Sequence, residues 1–203
     1  MAAQSGLADN PFFNEPLNME DLKNALASIV PALNKENLDK RFPEIAEFLM
    51  KNYGIESRGK IYLINEIEFY YYDLLYDDIR SDSKTQTMTY KRTAPLGCWF
   101  IHRFGADLTF NSNEREGFGG GVLIRSIEDC INQKAIKGPV NCVEELWDEA
   151  VSAFEPVAPN PKIVRVAKRD VELDVPTIRI TVGKYDRWQS LWRFTIKGKD
   201  VSK

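Results

Sequence analysis

The sequence predicts an α+β fold in a single domain: helices come first, then a run of strands interrupted by one later helix. Three observations predict it. Apolar residues recur at helical spacing before residue 54 and again after Asn141. Between and beyond those stretches, β-branched and aromatic runs alternate with glycine and polar turn residues. The length of 203 residues suits one substantial core, and 43% hydrophobic with 28% charged residues is ordinary for a soluble globular chain.

Residues 1–18 hold small residues, Pro11, Pro16 and little periodicity, and read as an irregular N-terminal arm. Residues 19–203 read as the domain, with its helical part at 19–53. Leu22, Leu26 and Ile29, then Phe42, Ile45, Phe48 and Leu49, make two helices of residues 19–29 and 38–53. Pro31 and Asn34 mark the break of this helical hairpin. Residues 54–59, bounded by two glycines, read as a turn into a strand at 61–72.

That strand is rich in β-formers. Alternation places Leu63, Asn65, Ile67, Phe69 and Tyr71 on one face. The other face carries Tyr62, Ile64, Glu66, Glu68, Tyr70 and Tyr72, so carboxylates alternate with aromatic rings. Two readings fit this face. It is a surface whose acids find cross-strand cations, or a cleft wall with a carboxylate to work on water and an aromatic to stack a flat substrate.

Residues 77–95 are polar and read as a long surface loop. "GCWFIHRFGADLTF" (97–110) reads as strand, tight turn at Gly105, and strand. "GFGGGVLIRSIED" gives a glycine-rich approach to a buried strand at 122–127. Asn141 reads as the N-cap of a helix carrying Val143, Leu146, Trp147, Ala150, Val151 and Phe154. Residues 155–161 form a proline-broken connection. Strands at 163–167, 177–182 and 192–196 close the chain, the apolar side chains of "LWRF" being expected against the sheet.

The net charge is −3, unevenly spread. Residues 162–203 carry 11 basic against 5 acidic residues (+6), and the first 161 carry 16 against 25 (−9). A basic C-terminal part is compatible with phosphate contact on one surface. Cys98, Cys130 and Cys142 are odd in number and widely spaced, which suggests a reducing, cytoplasmic compartment and no thiolate metal site. No apolar run reaches bilayer-spanning length and no secretory h-region follows the N-terminus.

Routine catalytic motifs are missing. "GFGGG" lacks the Gly-Lys-Ser/Thr ending of a phosphate loop, and a single histidine, His102, argues against a zinc hydrolase. No cofactor is expected. No nucleophile elbow supports a Ser-His-Asp triad. His102 reads as a strand residue with a locally bonded ring, a general acid or substrate contact being the alternative. Arg125, embedded in "GVLIRSIED", is a counter-ion for Glu66 or Glu68, or a group that positions a water or a phosphate.

The order of these stretches resembles the alkyladenine (3-methyladenine) DNA glycosylase family from about Gly59 onward. "INEIEFYYYD" resembles that family's "IVETEAYxGxxD", and "GCWFIHRFGADLTFN" its "YVYxxYGxxxxxN" hairpin. "GVLIRSIED" is similar to "AVLIRALEP", and the ending "IRITVGKYDRWQSLWRFTIKGKDVSK" to "RIGI…WRFYVxGxxxVS". "KGP" (137–139) and "PFFNEP" (11–16) add weaker matches.

The resemblance implies a mixed, mostly antiparallel sheet and hydrolysis of the N-glycosidic bond of a modified base, such as an alkylated one, in DNA. It puts Glu68 on the general base, Tyr70 on a pocket aromatic and Arg125 on the active-site arginine. Phe104 falls on the intercalating tyrosine with Gly105 as its turn, and Asn111 on the asparagine that screens the base edge. Ile101 stands where the family has a stacking tyrosine. The family's histidine some eleven residues after the glutamate is absent, Ile79 and Arg80 lying there, so His102 is the one histidine available as an acid. DNA would be held by the basic C-terminal part and the Phe104 hairpin. Two further functions fit the same scaffold: a nucleic-acid or protein binding module, and a hydrolase of a small nucleoside-type glycoside.

Overall fold

The computed structural model describes residues 19–31, 33–73, 94–113, 117–147, 160–180, 189–199 and 201. In chain order these give α1 (Glu20–Ala27), α2 (Lys35–Asn52), β1 (Tyr53–Ser57), β2 (Lys60–Tyr72), β3 (Trp99–His102), β4 (Gly105–Thr109), β5 (Gly119–Asp129), β6 (Ala135–Lys137), α3 (Pro139–Leu146), β7 (Lys162–Arg165) and β8 (Arg193–Thr195). The architecture is α+β, and every strand pairing among the described residues is antiparallel.

One sheet runs β3-β4-β5-β2-β1-β7, with β6 also on β5 and β8 also on β2. Its axis is the long β2–β5 pair, in register from Tyr62↔Asp129 to Tyr72↔Gly119 and broken by an irregularity around Glu66. β2 pairs with β5 along one edge and with β1 and β8 along the other, and residues on both of its faces, Glu66 and Glu68 as well as Ile67 and Phe69, are buried. The exposed-face reading of Glu66, Glu68 and Tyr70 is thereby corrected.

The apolar face of β2 is the main core. Phe69 stacks on Phe42 of α2 at 4.3 Å between centroids, and Phe42 meets Trp192 edge-on at 4.9 Å. Phe194 closes on Phe69 at 5.5 Å. The 3.6-residue period of α2 sends Leu38, Phe42, Ile45 and Leu49 onto this layer, each fully or almost fully buried. Asn34 starts the helix, its side-chain oxygen accepting from the Asn37 amide at 2.9 Å. Trp192 and Phe194 of the tail are buried as expected, while Leu191 faces solvent.

Several element expectations need correction. Residues 54–59 are not a turn: β1 occupies most of them and only Arg58 and Gly59 turn, with φ of 50° and 72°. Gly54 serves close packing instead, since a Cβ there would sit 2.7 Å from the Tyr62 carbonyl oxygen. Gly119, Gly120 and Gly121 lie inside β5, and a Cβ on Gly120 would meet the Tyr70 carbonyl oxygen at 2.0 Å. Asn141 is not the N-cap of α3: Gly138 is, with Pro139 at the first helical position, where a missing N–H is harmless. Strand β6 was not anticipated.

Trp147 follows the end of α3, and Ala150, Val151 and Phe154 lie outside the described residues, as do the N-terminal arm and most of the 77–95 loop. Of the expected strand at 177–182, Thr177 makes an isolated bridge to Arg193, and 181 and 182 are not described. Among the described residues no helix is long and apolar enough to cross a membrane.

Candidate active site

Antiparallel register carries one rung across the second face of the sheet. Phe100 on β3 lies opposite Asp107 on β4, Asp107 opposite Leu123 on β5, Leu123 opposite Glu68 on β2, and Glu68 opposite Arg193 on β8. Directly opposed residues point to the same face. Glu66 and Tyr70, two positions either side of Glu68, share it.

Glu68 is fully buried. Its Oε1 accepts the backbone N–H of Ile180 at 2.6 Å. Its Oε2 accepts the Tyr70 hydroxyl at 2.9 Å and Arg125 Nη1 at 3.2 Å. Arg125 Nε reaches Glu66 Oε1 at 3.1 Å, and Arg193 Nε reaches that same oxygen at 2.7 Å. Two carboxylates and two guanidiniums thus form a chain inside the sheet's second layer.

Burial pushes the Glu68 carboxyl above its ordinary range. Arg125, the Ile180 amide, the Tyr70 hydroxyl and Arg179 pull it back without overcoming that cost. The Tyr70 hydroxyl is held well above its usual value, first by burial and then by the negative charge of Glu68. It is a neutral donor to the carboxylate. Cys142 is no nucleophile: burial first, and the Glu66 charge next, push its thiol up to about 12.

The hairpin of β3 and β4 holds a second group. His102 Nε2 lies 2.8 Å from Asp107 Oδ2, and His102 Nδ1 accepts the backbone N–H of Phe104 at 3.2 Å. Phe104 itself is half exposed at the turn, with the Arg103 guanidinium 4.5 Å above its ring. Gly105 starts β4 with φ +146°, and a Cβ there would strike both Pro139 and Leu123 at under 3 Å. No side chain other than glycine fits that close approach of hairpin, β5 and α3.

The structure therefore brings Glu68, Tyr70 and Arg125 into direct contact. It groups His102, Phe104 and Gly105 on the β3–β4 hairpin, where β4 lies two strand spacings (about 10 Å) from β2 and β3, which carries His102, lies three. Ile101 is half exposed and alternates to the face opposite His102. Asn111 lies exposed just past β4.

Four participants escaped the sequence: Asp107, Arg179, Arg193 and the Ile180 amide. Arg179 is 1% exposed, with its guanidinium 4.9 Å from the Tyr70 ring and 5.2 Å from the Trp192 ring. The signal that singled out Arg125, an arginine between apolar neighbours, was also present in "IRI" around Arg179. A backbone amide carries no such signal.

Among the described residues no cluster of histidine, cysteine or carboxylate side chains could hold a metal ion. No protein-family model matches the chain, and no curated protein matches it.

Proposed function

We propose that this chain hydrolyses the N-glycosidic bond of a modified base in DNA, with Glu68 acting on the attacking water. The observation that supports it is the setting of Glu68: a buried carboxyl raised above its ordinary range, held between an arginine, a tyrosine hydroxyl and a backbone amide. A raised carboxyl is, once ionised, a better proton acceptor than a free one.

In the step proposed, the bond between the base and C1′ of the sugar breaks with its electron pair leaving on the base. Water adds to the cation-like sugar and its proton passes to Glu68, whose negative charge also stabilises the cation. Arg125 orients the carboxylate through Oε2 and Ile180 through Oε1. Glu68 has no exposed surface, so a flipped-out base reaches it when the cover over the carboxyl opens.

Alkylated purines that carry a positive charge depart as neutral molecules and need no acid. The ring nitrogens of His102 face Asp107 and the Phe104 amide, and neither is aimed at Glu68. The site thus suits cationic leaving bases better than neutral ones. Phe104, half exposed and capped by Arg103, is the wedge that would fill the vacated stack.

The satisfied shell of Glu68 favours one rival reading, a binding module on the same scaffold, because both oxygens already accept hydrogen bonds. Base release from methylated duplex DNA separates the two. Release by wild type and none by Glu68→Gln supports the hydrolase. Salt-sensitive DNA binding without release by wild type supports the module. Release from free nucleosides alone, with no DNA binding, points to a small-glycoside hydrolase.

A further inference from the structure

Arg179 is a large charged side chain with almost no exposed surface. Burying a guanidinium costs several kcal/mol unless its charge is used. Its guanidinium carbon lies over both the Tyr70 ring, at 4.9 Å, and the Trp192 ring, at 5.2 Å, and Nη1 donates to the Phe69 carbonyl at 3.4 Å. The next residue, Ile180, gives its amide to Glu68. Three of the four influences that favour the ionised form of Glu68 therefore pass through or beside Arg179: its own charge, the Ile180 amide and the Tyr70 hydroxyl. Arg125 is the fourth and comes from β5.

We propose, resting on the reading above, that Arg179 is a positioning residue of the site. Stacked on Tyr70, it keeps the tyrosine hydroxyl and the Ile180 amide on Glu68, and its charge keeps Glu68 the carboxylate that water activation needs. A purely structural role, pinning the tail to the sheet through Phe69 and Trp192, would need the shape of the side chain but not its charge. The two roles separate experimentally.

The test compares full-length wild type, Arg179→Met and Arg179→Lys. Carbon-13 NMR follows the titration of the Glu68 carboxyl, assigned through Glu68→Gln. A second arm records the pH profile of base release from methylated DNA under single-turnover conditions. Arg179→Met should move the Glu68 midpoint measurably upward, because an opposite charge that favours the ionised form has been removed. Arg179→Lys should leave it near wild type, and the acidic limb of the release profile should follow the same pattern with DNA affinity unchanged.

An unmoved midpoint in folded Arg179→Met, or equal shifts in the Met and Lys variants, overturns the proposal. If Arg179→Met does not fold, the double variant Glu68→Gln/Arg179→Met decides. Folding of the double supports charge compensation, and its failure makes Arg179 a packing residue. Wild type that releases no base, with the midpoint still shifted by Arg179→Met, removes the hydrolase reading and leaves the Arg179 assignment standing.

Discussion

Removing the two ends of the Glu68–Arg125 contact should have opposite balances of stability and activity. In Glu68→Gln, Arg125 keeps Glu66 at 3.1 Å, so no guanidinium is stranded. The amide NH2 of the new side chain must face either the Ile180 N–H or Arg125, which costs about 1–3 kcal/mol for a donor left without an acceptor. Against this, the variant no longer buries a charge whose environment already disfavours it. The net loss should stay under about 2 kcal/mol at pH 7. Base release should fall by about two orders of magnitude or more, since water activation and cation stabilisation go together.

Arg125→Met does the reverse. It removes one ion pair of Glu66, which keeps Arg193, and strips Glu68 of the Arg125 salt bridge, so two buried carboxylates each lose a cation. Breaking a buried pair from one side costs about 3–5 kcal/mol. The double variant should recover part of that loss, with a coupling of about 1–3 kcal/mol. Urea denaturation followed by tryptophan fluorescence gives the stabilities, and single-turnover release gives the rates. Glu68→Gln proving as destabilising as Arg125→Met would refute the assignment of Glu68 as the costly partner. Release within threefold of wild type would remove it as the base.

The pH dependences of stability and rate should run in opposite directions. The folded pKa of Glu68 lies above its unfolded value, so its favourable contribution to stability, measured against Glu68→Gln, is fully present at low pH and is lost as pH rises through the folded pKa, whereas base release should climb across that same interval. Phe104→Ala should change stability by less than about 1 kcal/mol, because the ring is half exposed and its backbone bond to His102 survives, yet weaken DNA binding measured by anisotropy; unchanged affinity would discard the wedge. Gly120→Ala should fail to fold or lose several kcal/mol, as φ is +154° and the new methyl would overlap the Tyr70 carbonyl; a near-native melting curve would contradict the register of β2 and β5. Phe42→Ala should cost about 3–5 kcal/mol in the same denaturation assay, since Phe42 sits at 0% exposure against Phe69 and Trp192; a loss under 1 kcal/mol would mean that α2 is not part of the main core.

How far the residues announced this structure depends on the range over which each feature is determined. The period of α2 and the alternation of β2 are local, so both elements, and the placing of Glu68 and Tyr70 on one face, could be read directly. Arg125 could be suspected because an arginine among Val122, Leu123 and Ile124 must find a partner. Glycine misled at Gly54, where it marks a backbone passing close by, which depends on a strand from elsewhere, and so looked like a turn signal; at Gly120 the same kind of close approach lies within the glycine-rich entry to β5. The three-residue β6 is too short for any period. The bonds that complete the site come from 112 and 127 residues away, Ile180 to Glu68 and Arg193 to Glu66. One of those is a backbone amide, for which no residue type is required.

The two faces of β2 make different demands, and that difference bears on function. One face, Ile67, Phe69 and Tyr71, meets aromatic rings from α2 and β8 and supplies what a core needs. A fold seeking only stability would place similar residues on the other face, because apolar replacements of a buried ionic network are often neutral or stabilising. Instead Glu66 and Glu68 face Arg125 and Arg193 there, with Arg179 beside them, and burial holds Glu68 above its ordinary range. Packing does not require this arrangement, and the carboxyl at its centre carries a standing energetic cost. Strain of that kind persists where a proton or a charge has work to do. Replacing Glu68 and Arg125 together with apolar residues of similar volume, Glu68→Leu with Arg125→Met, should therefore yield a protein at least as stable as Arg125→Met alone and without base release.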